Sequence, residues 1–581
     1  MASQLINKIQ ASLIGERVLI PTSFGRKPLV YADYTASGRS LSFIEDALRE
    51  RVLPLYANTH TETSYTGAQS TAYREQARGI IRAAVNGTPD DQVIFCGSGA
   101  TSAINKLIDI MGLRGSSEAG TADDAPVVFI GPYEHHSNEL PWRESRAEVV
   151  VIPLADDGRL DIAELEHALT RYAGRSLKIG SFSAASNVTG VKTDTVAVAA
   201  LLHAHGALSF WDYAAAAPYV AIDMNPEPES AEAEQSAIKD AVFLSPHKLV
   251  GGPGTPGVLI MKRQLMTNAV PAMPGGGTVL YVTPQDHTFI EDPQRREEGG
   301  TPAIVEAIRA GLVFKLQQDV GVEAIEAREA EFRRRALARW QATPAIEVLG
   351  GVDNDSLAIF SLRIKAPVCS QPTDNPLDLH YGFVVALLND LFGIQARGGC
   401  SCAGPYGHQL LGMDMAASKA IEREIRAGQM ILRPGWVRLN FNYFIDEATF
   451  EYLLRAVELI AEHGWRLLPY YEFEQSTATW RFQGQTMQLG QPLAQIDFSE
   501  ESREQAFTPD KAIGSDELAA LLREAEATLA RVGEAADQGV ELNTYRLTLP
   551  ASVNALRWFA LPQEVSAHLF GESENKGEAA A

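Results

Sequence analysis

Apolar runs typical of buried strands alternate, along the first half of the chain, with segments whose apolar residues recur at helical spacing. The strand-like runs lie at 93–96, 126–130, 148–153, 177–183, 207–211 and 241–244. Strands that alternate with helices favour a mostly parallel sheet that is covered by helices on both faces. The pattern therefore predicts an α/β fold for this half of the chain.

The second half predicts long helices over 302–341 and then a smaller α/β unit. The arginine-rich end of the helical segment, AREAEFRRRALARW, is most simply a solvated helix face. Beyond residue 466 the pattern weakens, although 515–535 predicts an acidic amphipathic helix and the tail ESENKGEAAA is predicted to be disordered. We therefore divide the chain into an N-terminal segment, a large domain, linking helices, a small domain and a C-terminal extension, at 1–30, 31–300, 301–345, 346–465 and 466–581.

Composition narrows the class of protein. The chain has 581 residues and a net charge of −23, which argues against a general nucleic-acid binder because such proteins need a basic face. No stretch approaches about 18 uncharged apolar residues, so no membrane span is predicted, and the N-terminus lacks the features of a signal peptide. Few cysteines in a long chain indicate reduced thiols and a cytoplasmic protein; they are Cys96, Cys369, Cys400 and Cys402.

Polar residues follow several of the predicted strands. Because the carboxyl ends of parallel strands meet at one edge of a sheet, and ligands bind at that edge, these residues are expected to converge on one site. A glycine turn, Gly97-Ser98-Gly99, also precedes a predicted helix, whose free N–H groups would make a weak anion signal. The residues at the strand ends are Glu134-His135-His136, Ser186-Asn187, Asp212 and Lys248.

Lys248 is the most informative of these residues. It follows the apolar run 241–244 in Ser-Pro-His-Lys and precedes a glycine-rich turn. A lysine at the end of a buried strand is costly to desolvate unless its pKa falls, and an amine with a lowered pKa is suited to forming a Schiff base with an aldehyde cofactor. The alternative from this stretch alone is a surface lysine in a Gly/Pro loop.

Together these motifs resemble the fold-type I pyridoxal-phosphate enzymes, in the class V aminotransferase and cysteine desulfurase group. The resemblance runs from about residue 31 to 464. It is greatest to cysteine desulfurases and selenocysteine lyases, and the loop Arg397-Gly-Gly-Cys-Ser-Cys402 is similar to that of molybdenum cofactor sulfurases. The resemblance implies a large domain with a mostly parallel sheet of the seven-stranded type, a smaller α/β domain, and pyridoxal 5′-phosphate as cofactor.

The resemblance also implies roles for the residues that would hold the cofactor. Lys248 would form the Schiff base and move protons, and Asp212 would pair with the pyridine nitrogen, which keeps the ring an electron sink. His135 would stack on the ring, and Asn187 would lie near its phenolic oxygen. A threonine from the neighbouring subunit implies a homodimer with shared active sites. The implied phosphate contacts are Ala100, Thr101, Ser245, His247 and, from that neighbour, Thr301.

On the substrate side, the resemblance implies that Arg397 grips the α-carboxylate of an amino acid, with Ala36 and Asn187 beside it. Cys402 matches the nucleophile that takes sulfur from L-cysteine, or selenium from selenocysteine, as a persulfide and releases alanine. A sulfur-acceptor protein is an implied partner. Two positions depart from the family pattern: Ala215 stands where desulfurases usually have glutamine, and Ala100 replaces a threonine of the phosphate loop.

Two alternatives remain open at this stage. The first is another reaction on the same cofactor, such as transamination, β-elimination, desulfination or decarboxylation, with Cys402 incidental. The second is a non-catalytic metal or scaffold protein in which Cys400, Cys402 and His408 ligate zinc, although the Cys-x-Cys spacing is short for a structural zinc site. Our leading prediction requires no metal.

Overall fold

The computed structural model describes residues 2–59, 61–115, 125–227, 237–351, 353–370, 376–487, 489–490, 492–497, 513–537 and 544–570, without the side chains of 368–370, 376 and 532–537. The tail that was predicted to be disordered, and the Cys369 side chain, lie outside this description. Within the described residues, no helix has both the length and the apolar character needed to cross a membrane.

The N-terminal segment begins with an amphipathic helix and continues into a two-stranded hairpin. A short third strand then pairs with the small domain, so this segment joins the two halves of the molecule. The elements are α1 (Ala2–Ala11), β1 (Leu19–Thr22), β2 (Gly25–Pro28) and β3 (Val30–Tyr31).

The large domain contains a seven-stranded sheet in the order β4-β10-β9-β8-β7-β5-β6. Its strands are β4 (Asp91–Cys96), β5 (Val127–Ile130), β6 (Glu148–Val151), β7 (Lys178–Ser183), β8 (Leu208–Asp212), β9 (Ala241–Leu244) and β10 (Gly257–Lys262). Strands β9, β8, β7, β5 and β6 are parallel, whereas β10 runs antiparallel to both of its neighbours. The predicted mostly parallel sheet is therefore confirmed. Strand β10, which follows a glycine-rich turn, was not predicted.

Helices cover this sheet, and several of them have a polar N-cap residue. Asp161, for example, accepts a hydrogen bond from the backbone of Glu164, which satisfies an otherwise unpaired N–H group at a helix start. The stretch 42–56 is irregular: a π-helical turn follows α2, and a 3₁₀ turn that contains Pro54 comes next. The helices are α2 (Ser42–Ala47), α3 (Tyr65–Ala84), α4 (Gly99–Ile110), α5 (His136–Arg143), α6 (Ile162–Arg171), α7 (Thr195–Ala204) and α8 (Pro293–Arg296).

A hairpin, β11 (Val279–Val282) with β12 (His287–Phe289), projects from the large domain and exposes apolar side chains. The long helices α9 (Ile304–Val320) and α10 (Val322–Trp340) then lead into the small domain. Its sheet is antiparallel, in the order β13-β14-β18-β17, with β15 beside β14. The elements are β13 (Ile346–Val348), β14 (Ile359–Ser370), β15 (Pro376–Asp378), α11 (Tyr381–Phe392), β16 (Ile394–Gln395), β17 (Arg397–Gly399), α12 (Gly404–Leu410), α13 (Met415–Arg426), β18 (Trp436–Asn440) and α14 (Glu447–His463).

The arginine-rich end of α10 is not the solvated face that we expected. Arg339 is ion-paired to Glu451 and Glu458 of α14, with its Nη2 2.6 Å from the Glu458 carboxylate, and Arg335 reaches the same helix. The expectation was wrong because charge density along a sequence does not reveal an acidic helix packed alongside.

The C-terminal extension packs on the small domain. Its described residues form the hairpin β19 (Tyr471–Glu474) with β20 (Thr479–Phe482), and the helices α15 (Ser515–Asp537), α16 (Ala551–Ala555) and α17 (Pro562–Phe570). The predicted amphipathic helix is confirmed as α15, which lies against α14 and buries Leu518, Ala525 and Leu529.

Candidate active site

A cavity of roughly 510 Å³ lies at the carboxyl edge of the large sheet, between the two domains. The structure brings together in its lining every site residue that we predicted from sequence except Thr301. Those residues are Ala36, Ala100, Thr101, His135, Asn187, Asp212, Ser245, His247, Lys248, Arg397 and Cys402.

Thr301 lies apart from this cavity. It lines a separate open depression with Gly276, Gly277 and Arg295, and its hydroxyl lies 3.4 Å from Asn58 Nδ2. Thr301 is predicted from the family resemblance to contribute to the neighbouring subunit's site, and this contribution stays a prediction.

Lys248 and Asp212 form the charged centre of the large-domain wall. Lys248 ends a 3₁₀ turn that follows β9, and burial lowers the pKa of its amine to about 8, although Asp212 opposes the shift. Asp212 is the last residue of β8 and is almost fully buried, and burial raises the pKa of its carboxyl group. Its Oδ1 accepts a hydrogen bond from the backbone of Ala214 at 2.8 Å.

His135 stands at the start of α5, where its ring orientation is fixed. Nδ1 accepts a hydrogen bond from the backbone N–H of Ser137 at 3.1 Å, so the proton of the neutral ring is on Nε2. Burial, followed by the nearby charge of Lys248, lowers the pKa of His135 to about 3. The ring is therefore neutral at physiological pH and can stack on another planar ring.

Glu134, which the sequence places at a strand end beside His135 without a predicted role, is a buried acid directly behind this wall. Glu134 accepts hydrogen bonds from the backbone N–H and hydroxyl of Ser183 at 2.9 and 2.6 Å, and from Asn138 Nδ2 at 2.7 Å. Burial raises the pKa of Glu134 to about 7. Glu134 thereby orients Ser183, which itself lines the cavity.

One end of the cavity fits a phosphate. The helix α4 starts there, and Ala100 N–H donates to Ser245 Oγ at 2.9 Å. Gly99 has φ +56°, and a Cβ atom on it would lie 2.8 Å from Ser245 Oγ, so this turn requires glycine. A helix start with adjacent hydroxyls is a favourable anion site. His247 lies beside it, and burial lowers its pKa to about 4.

Four residues that line the cavity each have a buried polar atom with no hydrogen-bond partner among the described residues: Thr35 Oγ1, Asn187 Oδ1, Ser401 Oγ and Arg438 Nε. Buried polar groups are normally paired, so such atoms at a cavity indicate a missing ligand. Together with the Lys248 amine, the Asp212 carboxylate and the anion site, these atoms fit pyridoxal phosphate and an amino acid. Ala215 also lines the cavity, where its methyl group offers no hydrogen bond.

Arg438 was not among the predicted site residues. It lies opposite Arg397 in the β17–β18 pairing, and Asp33 bridges the two: Arg438 Nη2 is 2.9 Å from Oδ1, and Arg397 Nε is 3.1 Å from Oδ2. The Arg438 side chain is 3% exposed, whereas that of Arg397 is 48% exposed. An arginine in the middle of the apolar strand Trp436–Asn440 was the sequence signal that could have revealed it.

The loop Cys400–Cys402 forms the small-domain wall. Ser401 and Cys402 have φ of +55° and +57°, a left-handed conformation that costs non-glycine residues about 1–3 kcal/mol each. Asn187 Nδ2 donates to Ser401 O at 2.8 Å, and the backbone N–H of His136 donates to Cys402 O at 2.8 Å. Cys402 is exposed and Cys400 half-buried, so the strained loop presents one thiol to the cavity.

The described residues contain no group of three or more His, Cys, Asp or Glu side chains placed to hold a metal ion. Cys400, Cys402 and His408 do not form one, and His408 instead lies 3.5 Å from the hydroxyl of Ser418. The zinc hypothesis therefore has no site in this loop.

Comparison with known proteins agrees with this geometry. Residues 30–431 match the family described as Aminotransferase class-V. The chain belongs to this family. It is 30% identical to a probable cysteine desulfurase of Halalkalibacterium halodurans over 65% of this chain and 85% of that protein. It is 28% identical to a cysteine desulfurase of Dickeya dadantii over 67% and 86%, respectively.

Solved structures share the fold of this class-V chain. The apo structure of cysteine desulfurase from Thermococcus onnurineus NA1 aligns with a TM-score of 0.59 at 22% identity, over 75% of this chain and 95% of that one. The cysteine desulfurase CsdA from Escherichia coli aligns with a TM-score of 0.56 at 21% identity, over 74% and 94%. The predicted family and fold are thus confirmed, while the likeness of the Cys-x-Cys loop to molybdenum cofactor sulfurases stays a prediction.

Proposed function

We propose that this protein is a pyridoxal-phosphate-dependent, cysteine desulfurase-like C–S lyase. It would take sulfur from L-cysteine, or selenium from selenocysteine, onto Cys402 and release alanine. The observation that carries the proposal is the pairing of two walls in one cavity: a buried lysine and aspartate face an exposed thiol and two arginines. The curated relatives named as cysteine desulfurases support the same reaction.

The large-domain wall would hold the cofactor. Pyridoxal phosphate, when bound, supplies an electron sink that weakens bonds at the α- and β-carbons of an amino acid. Lys248 Nζ would bind its aldehyde group and later carry protons, which a pKa of about 8 favours. Asp212 would hold the proton on the pyridine nitrogen, and the neutral His135 ring would cover the face of the cofactor. The start of α4 would bind the phosphate.

The arginines would bind the substrate carboxylate. A guanidinium fork can donate two parallel hydrogen bonds to a carboxylate. Arg438 is buried and fixed by Asp33 and by the backbone carbonyl of Asn187, 3.0 Å from its Nη1. Arg397 is half-exposed and can adapt. We therefore propose that Arg438 is the main carboxylate anchor and that Arg397, with Ala36 and Asn187 nearby, completes the substrate site.

Cys402 would carry the sulfur. Its thiolate attacks the sulfur atom of the bound cysteine, the carbon–sulfur bond breaks, and the sulfur remains on Cys402 as a persulfide. The β-carbon then takes up a proton and alanine leaves. The exposed position of Cys402 leaves the persulfide open to a sulfur-acceptor protein.

A second candidate is a different reaction of an amino acid on the same cofactor. Ala215 favours it, because the usual glutamine contact to the cofactor is absent at that position. Exchange of Cys402 for serine separates the two functions. A desulfurase would lose persulfide formation while it keeps the cofactor, whereas the second candidate would keep its turnover.

We also propose that the protein is a homodimer whose subunits share active sites, and that it is located in the cytoplasm. Leu280, Tyr281 and Val282 of the β11–β12 hairpin are exposed apolar side chains, which are typical of an interaction surface. Thr301 lies exposed in the same region of the chain, where a second subunit could meet it.

The decisive experiment incubates the purified protein, loaded with pyridoxal phosphate, with cysteine, selenocysteine, cysteine sulfinate or aspartate. Alanine, sulfide or selenide, and the mass of the Cys402 peptide would be measured together. We expect alanine and a persulfide on Cys402 with cysteine. Turnover of aspartate alone, or turnover of cysteine without any adduct on Cys402, would contradict the proposal.

A further inference from the structure

The C-terminal extension contributes an aromatic cluster to the small domain. His380 is fully buried, and four aromatic side chains of the extension surround it, with ring centroids 5.1 to 6.1 Å away. Trp480 Nε1 also donates to His380 Nδ1 at 3.1 Å. The four are Phe473, Trp480, Trp558 and Phe559. The family match ends at residue 431, so these side chains lie beyond the segment shared with the family.

Backbone hydrogen bonds fix this cluster to the small-domain sheet. The N–H of Asp378, at the end of β15, donates to Trp558 O at 3.2 Å, and Ala560 N–H donates to Asp378 O at 2.9 Å. Phe559 thus pairs with Asp378 in a parallel bridge. The segment around Trp558 is therefore an added edge of the small sheet, not a loose tail.

Tyr381 connects the cluster to the active-site wall. Its ring stacks on Trp558 with an interplanar angle of 12° and a centroid distance of 6.0 Å. It also packs on the backbone of Gly398 and Gly435: a Cβ atom at Gly398 would lie 2.7 Å from the ring, and one at Gly435 would lie 2.9 Å from it. Gly398 is the middle residue of β17, so the Tyr381 ring supports the strand that runs from Arg397 to the cysteine loop.

The loop itself depends on support from both ends. On the large-domain side, Asn187 and His136 hold Ser401, Cys402 and Gly404 by hydrogen bonds. On the other side, β17 runs directly into Cys400, and the Tyr381 ring packs against Gly398 of this strand. Residues in a left-handed conformation persist when the surrounding structure over-determines them, and Trp558 is part of that surrounding structure.

We infer that the C-terminal extension is a positioning element for the sulfur-carrying loop: Trp558 fixes Tyr381, and Tyr381 fixes β17 and the Cys400–Cys402 loop. Trp558 does not touch the cavity, so it is a positioning residue. The inference rests on the proposed function only for the expected effect on turnover. The placement of the loop can be measured without any substrate.

The test uses the full-length protein with bound pyridoxal phosphate and the variants Trp558→Ala and Tyr381→Ala. Tyr381→Phe keeps the ring, and Val565→Ala removes a buried side chain of the extension outside the aromatic cluster, as a matched packing control. The first readout is the rate at which iodoacetamide alkylates each cysteine, resolved by peptide mass. Half-buried Cys400 reports on the loop, and buried Cys96 on the integrity of the large domain.

We expect Trp558→Ala and Tyr381→Ala to raise the alkylation rate of Cys400 by about tenfold, because the loop opens more often. Cys96 should stay protected, and Tyr381→Phe and Val565→Ala should resemble the parent protein. Equal Cys400 rates in parent and Trp558→Ala would overturn the inference. So would an equal increase in Val565→Ala, because it would indicate general loosening of the extension.

The second readout is a single turnover with cysteine. The two alanine variants should bind cysteine with unchanged affinity, seen as the change in cofactor absorbance, but form the Cys402 persulfide about ten- to a hundredfold more slowly. Weakened cysteine binding with normal persulfide formation would overturn the inference. If the parent protein forms no persulfide at all, the proposed function fails, and the Cys400 alkylation rates still decide whether the extension positions the loop.

Discussion

The two walls of the cavity are built differently. The large-domain wall places Lys248, Asp212 and His135 at the ends of buried strands and the starts of helices, where burial moves the pKa of each group. The small-domain wall is a short edge strand and a left-handed loop, and it presents an exposed thiol. A rigid, dry wall suits a cofactor whose groups must keep fixed protonation states. A loop that is held from both sides but open to solvent suits the sulfur transfer that we propose for Cys402.

The largest effect is expected at the buried wall. Lys248→Ala should lower turnover by about 10⁴-fold or more, because it removes the amine that binds the cofactor and moves protons. Borohydride reduction followed by peptide mass mapping should show a cofactor adduct on Lys248 in the parent protein and none in the variant. Lys315→Ala, which removes a surface amine paired with Asp319, is the control. An unmodified Lys248 peptide in cofactor-supplemented parent protein would contradict the proposal that the large-domain wall binds the cofactor.

The second-largest effect is expected at the small-domain wall, which presents the exposed thiol of Cys402. Cys402→Ser should abolish the persulfide and lower sulfide release by about 10²-fold or more, because serine is a poor nucleophile toward sulfur. Cofactor absorbance and cysteine binding should persist, since the buried wall is untouched. Cys400→Ser is the matched control and should retain the persulfide on Cys402. Normal sulfide release by Cys402→Ser would indicate that the loop is incidental.

The two arginines, which face each other across Asp33, should differ in effect. Arg438→Lys should raise the KM for cysteine by about tenfold or more, because lysine lacks the guanidinium fork at a buried site. Arg397→Lys should change it by about threefold or less, since exposed charge pairs contribute about 0.2–1 kcal/mol. Steady-state kinetics of both variants would check the order. The reverse order would restore Arg397 as the main anchor, as the family resemblance implies.

The smallest expected effect is a shift in pH dependence. Burial lowers the pKa of Lys248 to about 8 from 10.5, so below pH 8 the amine is mostly protonated and cannot attack an aldehyde. Attachment of pyridoxal phosphate to the cofactor-free protein should therefore accelerate with rising pH and have its midpoint near 8. Asp212→Asn removes a charge that raises this pKa, so its midpoint should lie lower. Absorbance-monitored reconstitution across pH would measure both, and a midpoint near that of free lysine would contradict the buried environment.

Much of the fold and of the buried wall follows from local sequence. Apolar runs and helical periodicity predict β5 to β9, because strands of a parallel sheet that is covered on both faces are rich in apolar residues. Even the edge strand β6, which is only partly buried, is mainly apolar. The strand-end positions of His135, Asn187, Asp212 and Lys248 then follow, since parallel strands bring their carboxyl ends to one edge. Strand β10 was not predicted, because its antiparallel position between β9 and β4 depends on pairing with β4, which lies far away in the chain.

The sequence by itself determined the family, and it predicts the roles of Lys248 and of the cysteine loop, because these depend on residue type and short spacing. The tertiary structure alone decided that Asp33 joins Arg397 to Arg438, that the arginine-rich helix pairs with α14, and that Trp558 reaches Tyr381 beneath the loop. Each of these contacts joins residues that are more than a hundred positions apart. Periodicity and local motifs describe only neighbours along the chain, so packing and ion pairing over such separations had to be read from the folded molecule.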